Sequence, residues 1–457
     1  MRTILILLLV GSLLWLVLHG FRSVRAGQSP AAEPTGLLMP VESKPAAPST
    51  DAPVAATSSG TESKGGTALV SPPKEKAAAS VSPAPTPAAA PARAPDAPKP
   101  RASQVSAAPA DEIAMASVLL HHPQDLPAYV EGLGKTLPSG RRELALALHT
   151  WIVGPVDEAR RMAEGLESRD GVLVSESAFL KQALSSGATA VPASGRGESP
   201  LVMAAALACI AREGKAALAA GKNREAALAF GELLLGEICA PWKAERESLN
   251  SWTDALARAQ AGYRWNPEGG WNSIEVKVEA GDSLISVRKR AIKEHGELLI
   301  CTGQIARGNG LRSETIHPGQ SLRIPLSRAN VIVDLDAHWA LYRLGTEVVA
   351  AWEVGVGKPG SETPPGEYLT GEKTKEPPWF RPGHAPVPYG DPENPLGTRW
   401  IAWQKADGTN TGLGFHGTKD PASIGEDLSQ GCVRMRQPAI EELFEILPKG
   451  ASITVQP

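Results

Sequence analysis

A histidine and a cysteine flank a loop rich in glycine, serine and proline near the end of the sequence, and this pair is the clearest candidate for chemistry. The segment from His416 to Met435 reads HGTKDPASIGEDLSQGCVRM. A thiol is a useful nucleophile only as the thiolate, and a nearby imidazole is the usual group that stabilises this form near neutral pH. Because the two residues lie too far apart to be helical neighbours, the loop must fold back to bring His416 and Cys432 together.

The glycines of this loop would let the chain return and let backbone groups reach a reacting carbonyl. Gly425 and Gly431 can adopt positive φ without strain, and Gly431 leaves room for a backbone N–H to approach a developing oxyanion. The alternative for the same residues is a buried structural cysteine beside a surface histidine, because free cysteine is among the most buried residue types. The residue types alone leave both interpretations open.

The order of residues around the pair favours the catalytic interpretation. The segment resembles the active-site signature of the L,D-transpeptidases, also called the YkuD family, which reads H-G-T, then S-I-G, then S-x-G-C-[IV]-R-M. Gln430 stands where many members have His, and since the family accepts other residues there, His416 is the expected base. The matching residues are His416, Gly417, Thr418, Pro421, Ser423, Ile424, Gly425, Ser429, Gly431, Cys432, Val433, Arg434 and Met435.

The resemblance implies acyl transfer through a thioester, without a cofactor or a metal ion. Cys432 would attack the carbonyl between the L-centre of a diamino acid and the terminal D-alanine of a peptidoglycan tetrapeptide stem. His416 would accept the thiol proton and pass it to the departing amine. The carbonyl of Gly417 is expected to fix the imidazole tautomer, and the N–H groups of Gly431 and Cys432 are the expected oxyanion donors.

Four further residues are candidates for substrate binding. Arg434 would hold either a stem carboxylate or a structural ion pair, and Ser429 is expected to brace the loop through hydrogen bonds rather than join the chemistry. Thr418 of the H-G-T triplet is grouped with them. Trp379, in the segment PPWF, would line the cleft or pack in the core, which is the usual place for a tryptophan.

Several activities share this machinery. Water as acceptor would make the protein an L,D-carboxypeptidase, and a protein amine would make it an enzyme that anchors proteins to the wall. A wall-binding scaffold with an inactive catalytic domain is a hypothesis of another class, and the intact His416, Gly431 and Cys432 speak against it. A cysteine protease acting on ordinary peptides shares the pair but fits the surrounding motif poorly. The sequence does not choose among the acceptors.

Composition points to an exported multidomain protein. The 457 residues predict about three domains, and a net charge of −3 with a pI near 6.4 gives no sign of nucleic-acid binding. Four cysteines are too few for a disulfide scaffold, and no cysteine or histidine cluster suggests a metal site. Cys209 and Cys239 would pair in an oxidising compartment or lie unpaired in a helical core, and the state of Cys301 is open.

The N-terminal segment predicts export to the cell envelope, in the periplasm or the cell wall. Arg2 precedes an apolar run from Ile4 to Leu18, which is short for a membrane span and typical of a signal sequence. Residues 1–26 are thus a cleaved signal peptide or a membrane anchor. Residues 27–110, rich in Pro, Ala and Ser, predict a disordered tether that would let an anchored enzyme search the wall.

Residues 111–265 predict an all-helical domain. The segment 217–235, ALAAGKNREAALAFGELLL, has the form of a helix, a turn and a second helix. It resembles one tetratricopeptide-like hairpin, although no 34-residue period is clear and a plain helical bundle fits equally. No catalytic constellation lies here, so the inference stops at a spacer or a module that docks an unidentified protein partner.

Residues 274–325 resemble a LysM module, a small β-α-α-β fold that binds glycans containing N-acetylglucosamine through two loops. Strand-like alternation leads into a helix, and a turn at Pro318 and Gly319 leads into the last strand. The alternative is a packing subdomain without a ligand. The residues expected to bind glycan are Gly281, Asp282, Ser283, Asn309, Pro318 and Gly319.

Residues 330–457 predict a β-rich catalytic domain with one or two helices. Short strands are expected at 331–333, 341–342, 348–350 and 352–356, and Thr363 to Tyr368 resembles the T-P-x-G-x-[FY] turn of the same family. A helix is expected to open at Gln437 and Pro438, followed by a final strand at 452–455. The predicted fold is therefore multidomain, with a tether, a helical domain, a LysM module and this catalytic domain.

Overall fold

Apolar residues at helical spacing fold the first half of the described chain into helices. The computed structural model describes residues 110–185, 199–296, 298–380 and 383–457. The predicted signal segment and tether lie outside the described residues. The helices are α1 Ala110–His121, α2 Leu126–Leu133, α3 Ser139–Val153, α4 Val156–Ala163, α5 Val174–Ser185, α6 Pro200–Ala219, α7 Asn223–Ile238 and α8 Arg246–Gly262.

The predicted helical stripe and hairpin are both present. Leu144, Leu148 and Trp151 of α3 are buried, because residues three and four apart share one face of a helix. Helices α6 and α7 are joined by a short turn at Gly221, whose φ of +69° suits glycine. The chain therefore folds here as the sequence predicts, while the repeat assignment stays a prediction.

A strand, two helices and a strand follow, in the order that the sequence predicts. Strands β1 Ser273–Lys277 and β2 Ser321–Pro325 pair antiparallel, with α9 Leu284–His295 and α10 Thr302–Gly308 between them. Ser283 caps α9, since its side chain accepts a hydrogen bond from the N–H of Ser286 at 3.2 Å. Whether this unit is a LysM module that binds glycan stays a prediction.

Several side chains expected to bind glycan form hydrogen bonds within this unit. The hydrogen bond from Arg290, followed by that from the Glu279 N–H, lowers the pKa of Asp282 to about 2. The side-chain amide of Asn309 forms two hydrogen bonds with the backbone of Arg323. It donates to the carbonyl and accepts from the N–H, both at 2.8 Å. For Asp282, Ser283 and Asn309 the structure therefore shows a role in the fold, because a short loop must satisfy its own backbone groups.

Gly281, Pro318 and Gly319 stand at the turns of the two predicted glycan-binding loops. The N–H of Gly319 donates to the carbonyl of Val278 at 2.8 Å, which sets the two loops side by side. A Cβ at Gly281 or Gly319 would meet open space. Binding of glycan at these turns stays a prediction.

The remaining chain forms the β-rich domain that the sequence predicts. The strands are β3 Ala329–Asp334, β4 Trp339–Leu344, β5 Glu347–Gly357, β6 Gly366–Lys375, β7 Arg399–Gln404, β8 Asn410–Gly417, β9 Asp427–Ser429, β10 Val433–Met435 and β11 Ser452–Gln456. One α-helix, α11 Gln437–Ile446, and a short 3-10 helix, Pro421–Ser423, accompany them within the described part of this domain. Helix α11 and strand β11 confirm the two elements predicted after Gln437.

These strands form one sheet that closes on itself. Their order is β10-β8-β7-β6-β11-β3-β4-β5-β9, and β10 also pairs antiparallel with β5. The prediction of two strands at 348–350 and 352–356 is wrong, since β5 is continuous. Ala351 pairs with Leu341 and is buried, so the ladder runs through the residue that was expected to separate two strands.

The helical region packs directly on this sheet. Trp339, Leu341 and Val348 belong to the same buried hydrophobic cluster as the helices. The side-chain amide of Gln260 in α8 donates to the carbonyl of Val348 at 3.2 Å. The helices and the sheet therefore share one continuous hydrophobic core, and the role of the helical region as a spacer or a docking module stays a prediction.

The four cysteines are unpaired. Cys209 is buried in α6, as a core residue would be, whereas Cys239 is exposed at the end of α7. Among the residues described, none of the helices has the length and apolar character needed to cross a membrane.

Candidate active site

Strands β8 and β10 bring the histidine and the cysteine to the same face of the sheet. The two strands are parallel, with Arg434 opposite His416 and Val433 opposite Phe415. Because side chains alternate along a strand, Cys432, Arg434 and His416 project to one side. The thiol of Cys432 is partly exposed at the start of β10, while His416 is only 4% exposed. The strand register therefore places both residues at the same part of the sheet, while their direct contact stays a prediction.

The imidazole of His416 is held in one tautomer. Its Nδ1 lies 2.6 Å from the carbonyl oxygen of Gly417, which can only accept a hydrogen bond. The proton of the neutral ring is therefore on Nδ1, and Nε2 carries the lone pair. The indole of Trp400 stacks on the ring with centroids 6.0 Å apart. The role expected for the Gly417 carbonyl agrees with this geometry.

Burial keeps both reactive groups uncharged in the free protein. Burial lowers the pKa of His416 to about 4, with the hydrogen bond to Gly417 opposing this change and the charge of Arg434 adding to it. Burial also raises the pKa of the Cys432 thiol to about 11, although the Gly414 N–H and Arg434 favour the thiolate. Between these values the pair is thiol and imidazole. The expectation of a stabilised thiolate is not met, because desolvation disfavours both charged forms.

Ser429 braces the turn that carries the cysteine. Its hydroxyl donates to the carbonyl of Cys432 at 2.6 Å and accepts from the N–H of Gly431 at 3.1 Å, and the residue is 1% exposed. Gly431 has a φ of +102°, and a Cβ there would lie 3.2 Å from the Leu413 side chain. Because the Gly431 N–H is already bonded, its expected role as an oxyanion donor does not fit this state. Ser429 likewise has no hydrogen available for a substrate.

Comparison with known proteins places this site in a family. Residues 328–455 match the family model described as YkuD, the L,D-transpeptidase catalytic domain. YkuD of Bacillus subtilis, named as an L,D-transpeptidase, is 26% identical over 188 residues, which cover 40% of this chain and 98% of YkuD. YqjB of the same organism, also named as an L,D-transpeptidase, is 34% identical over 126 residues, covering 27% of this chain and 69% of YqjB. The chain belongs to the L,D-transpeptidase family. The members of this family are cysteine-dependent acyltransferases.

A solved L,D-transpeptidase from Mycobacterium smegmatis is similar as well. It is 22% identical, with a TM-score of 0.23, over 30% of this chain and 64% of that structure. This chain thus spans slightly less than two thirds of that protein. At this TM-score, the similarity adds nothing to the family assignment made from the sequence relatives.

The pH dependence of acylation should reflect the buried histidine of this L,D-transpeptidase. Because the folded pKa of His416 lies below its ordinary value of about 6.5, the ring stays unprotonated in mildly acidic solution. We expect the rate of Cys432 acylation by a carbapenem, followed by mass spectrometry, to be constant through neutral pH and to fall only near pH 4. Circular dichroism would show that the protein stays folded. A rate that is halved near pH 6.5 would contradict this expectation.

Removing the Ser429 hydroxyl should loosen the cysteine turn. The change Ser429→Ala leaves the Gly431 N–H and the Cys432 carbonyl without their partner. We expect the free energy of unfolding, measured in urea, to fall by about 1–3 kcal/mol. Ser185→Ala, which removes an exposed hydroxyl bonded to the Gln182 carbonyl, should change it by less than about 0.5 kcal/mol. Equal effects of the two changes would exclude a bracing role.

The loop between the two strands satisfies its own polar groups. Thr418 is 6% exposed, and its hydroxyl accepts from the Asp420 N–H at 3.0 Å. The hydroxyl of Ser423 donates to the Asp420 carbonyl at 2.6 Å. Thr418, expected to bind substrate, is therefore placed to hold the loop, since its hydroxyl is buried among backbone groups.

Arg434 and Trp379 differ in how they relate to the reactive pair. Arg434 is half-buried beside His416, and among the described residues no carboxylate forms an ion pair with it. Its binding of a substrate carboxylate stays a prediction. Trp379 is half-buried in the connection between β6 and β7, where its backbone N–H donates to the Val387 carbonyl at 2.8 Å. Its role in the cleft stays a prediction.

Sequence reasoning missed residues that reach the site from other elements. Trp400 lies opposite His416 in the β7–β8 ladder, and Gln437 at the start of α11 donates to the Thr418 carbonyl at 3.2 Å. Glu353 of β5 forms ion pairs with Arg246 and Arg436. None of them stands near the motif in sequence except Gln437, which was noted only as a helix start. Only knowledge of the strand register would have revealed the others.

No metal chemistry is suggested by the described residues of this L,D-transpeptidase. Throughout 110–185, 199–296, 298–380 and 383–457, no group of three or more His, Cys, Asp or Glu side chains is placed to hold a metal ion. The arrangement instead offers a thiol, an unprotonated imidazole nitrogen and a half-buried guanidinium on one face of the sheet. This set is suited to nucleophilic acyl transfer.

Proposed function

We propose that this protein forms cross-links in peptidoglycan by L,D-transpeptidation through a thioester on Cys432. The observation that carries the proposal is the tautomer of His416, whose Nδ1 bonds to the Gly417 carbonyl and leaves Nε2 as a base on the face that carries Cys432. Family membership supports the reaction type. The choice of donor, acceptor and cellular site belongs to the proposal.

The first half of the reaction makes the thioester. Sγ of Cys432 attacks the carbonyl carbon before the terminal D-alanine of a tetrapeptide stem while Nε2 of His416 takes the thiol proton. The charge on the carbonyl oxygen is then stabilised by the backbone N–H of Cys432, since that of Gly431 is bonded to Ser429. When the C–N bond breaks, His416 returns the proton to the amine, and D-alanine leaves. Arg434 holds a carboxylate of the stem.

The second half transfers the acyl group to an acceptor. The amine of a second stem attacks the thioester carbonyl, and His416 accepts the proton that this amine loses. The C–S bond then breaks, and the proton on His416 returns to the thiolate, which regenerates the neutral pair. This cycle suits a pair whose resting state is uncharged, because the full cycle starts and ends with a neutral thiol and a neutral imidazole.

The rest of the chain supports an enzyme that works at the cell wall. The apolar N-terminal run suggests export, and the β-α-α-β unit suggests a LysM module that retains the enzyme on glycan strands. Its two loops lie side by side with the turns at Gly281 and Gly319 open. Export to the envelope and glycan binding are therefore parts of the same proposal.

Mass spectrometry of purified disaccharide-tetrapeptide, incubated with the full chain, tests the proposal. A cross-linked dimer that has lost one D-alanine, absent with Cys432→Ala, is the expected product. Tripeptide without dimer would overturn transpeptidation and indicate an L,D-carboxypeptidase. An unchanged substrate, together with a Cys432 that a carbapenem does not acylate, would indicate a scaffold with an inactive domain.

A further inference from the structure

One arginine of the helical region reaches the loop between His416 and Cys432. Arg246 is the first residue of α8, and Nη2 of its guanidinium donates to the carbonyl of Ile424 at 3.3 Å. The same guanidinium forms an ion pair through Nε with Glu353 of β5. Ile424 is 1% exposed and belongs to the Ser-Ile-Gly part of the family signature. A residue far outside the catalytic domain in sequence thus contacts the catalytic loop directly.

Glu353 connects this arginine to the strand that follows the cysteine. Its side chain is 4% exposed, and its Oε2 also accepts a hydrogen bond from Nη1 of Arg436 at 3.0 Å. Arg436 directly follows β10, which starts just after Cys432. A buried carboxylate is retained only when charged partners compensate for its lost hydration, so the two arginines and Glu353 depend on one another.

Gly425 is fitted into the same contact. It has a φ of +83°, and a Cβ there would lie 2.8 Å from Oε1 of Glu353 and 3.1 Å from Nη2 of Arg246. Its N–H donates to the Val354 carbonyl at 3.0 Å. Both the shape and the hydrogen bonds of this part of the loop therefore depend on β5 and on Arg246.

We propose that Arg246 is a positioning residue, through which the helical region sets the geometry of the loop that joins His416 to Cys432. It touches neither the thiol nor the imidazole. It acts on the carbonyl of Ile424 and, through Glu353, on the segment after β10. The helical region is then a working part of the acyl-transfer site, whatever further partner it binds. This inference rests on the proposed function only in taking Cys432 as the nucleophile.

The test compares Arg246→Gln with a matched arginine on the same helix. Arg258 is exposed, and its side chain contacts the carbonyl of Asp254 in its own helix, so Arg258→Gln is the control. In the full chain, we would measure the maximal rate of Cys432 acylation by a carbapenem, the concentration that gives half this rate, and hydrogen exchange of residues 421–427. Arg246→Lys, which keeps the charge but not the forked geometry, is the conservative variant.

For Arg246→Gln we expect the maximal acylation rate to fall about tenfold, because small errors in the placement of reacting groups are costly. The half-maximal concentration should stay constant, hydrogen exchange in 421–427 should become faster, and Arg246→Lys should recover part of both effects. Unfolding would instead speed exchange throughout the chain. A rate and an exchange pattern within twofold of those of Arg258→Gln would overturn the inference.

The hydrogen-exchange readout also separates this inference from the proposed function. If the unaltered protein is not acylated at all, the proposed chemistry fails. In that case, faster exchange in 421–427 for Arg246→Gln alone would still support the contact, and unchanged exchange would overturn it. Replacing Glu353 by Gln adds a second check, because the effect of Arg246→Gln should then be much smaller.

Discussion

Replacing Cys432 by alanine should abolish acyl transfer while leaving the fold intact. The side chain is partly exposed just before β10, with Sγ 4.0 Å from the Gly412 carbonyl, and alanine removes a single atom, so little packing is lost. Without Sγ no thioester forms, and we expect formation of cross-linked product to fall on the order of 10³-fold or more. Mass spectrometry of the products measures this loss, and thermal unfolding followed by circular dichroism should give nearly the same midpoint.

A second exposed cysteine provides the control. Cys239 lies at the end of α7, outside the site, and burial raises the pKa of its thiol as it does for Cys432. Cys239→Ala should leave both the rate and the carbapenem adduct unchanged. If this variant lost activity as Cys432→Ala does, or if Cys432→Ala kept it, the nucleophile would have been assigned wrongly.

Replacing His416 by asparagine should have the next largest effect. The asparagine amide can still donate to the Gly417 carbonyl, but it has no group with the basicity of Nε2. We expect the acylation rate to fall by about 10²–10⁴-fold, the usual contribution of general acid–base catalysis. Rapid-mixing mass spectrometry with a carbapenem would measure it.

The pH profile of this variant distinguishes a base from a structural histidine. Without His416, the fall in rate near pH 4 should disappear, and the residual rate should rise with pH as Cys432 ionises towards its pKa of about 11. His295→Gln, at the exposed end of α9, should keep the profile of the unaltered protein. A variant at position 416 with the same acid limb as the unaltered protein would show that His416 is not the base.

The local parts of the site were predictable from sequence because they are encoded within a few residues. The hydrogen bond between His416 and the Gly417 carbonyl joins adjacent residues, and the bracing by Ser429 spans three positions. The same short range applies at Gly431. Its N–H is expected to bind an oxyanion because glycine leaves that space open, and the nearby Ser429 hydroxyl accepts the hydrogen bond of this N–H in the protein without substrate.

The distant parts of the site could not be predicted, because they depend on which strands become neighbours. Trp400 reaches His416 through the β7–β8 register, and Arg246 reaches Ile424 across the interface between the helices and the sheet. Neither contact is indicated by residues nearby in the sequence. The pKa values of the pair were also missed, since the degree of burial follows from the whole fold and not from the identity of His416 and Cys432.

The same contrast between local and distant determinants applies to the fold. The helices, the β-α-α-β order and the final strand follow from periodicity and turn residues, which act locally. The continuity of β5 does not, because it depends on the strands beside it. β4 pairs with β5 through its alanine-rich middle, where the sequence suggested a break, and β9 and β10 pair with β5 near its end.

The hydrophobic core that the helices share with the sheet limits how this protein can be divided. Trp339, Leu341, Val348 and Ala351 face the helices, so a fragment starting at residue 330 would present them to water. An exposed apolar face of this kind favours self-association, so the isolated catalytic domain would not be expected to stay monomeric. For engineering of this chain, the unit to keep together is therefore the helices and the sheet.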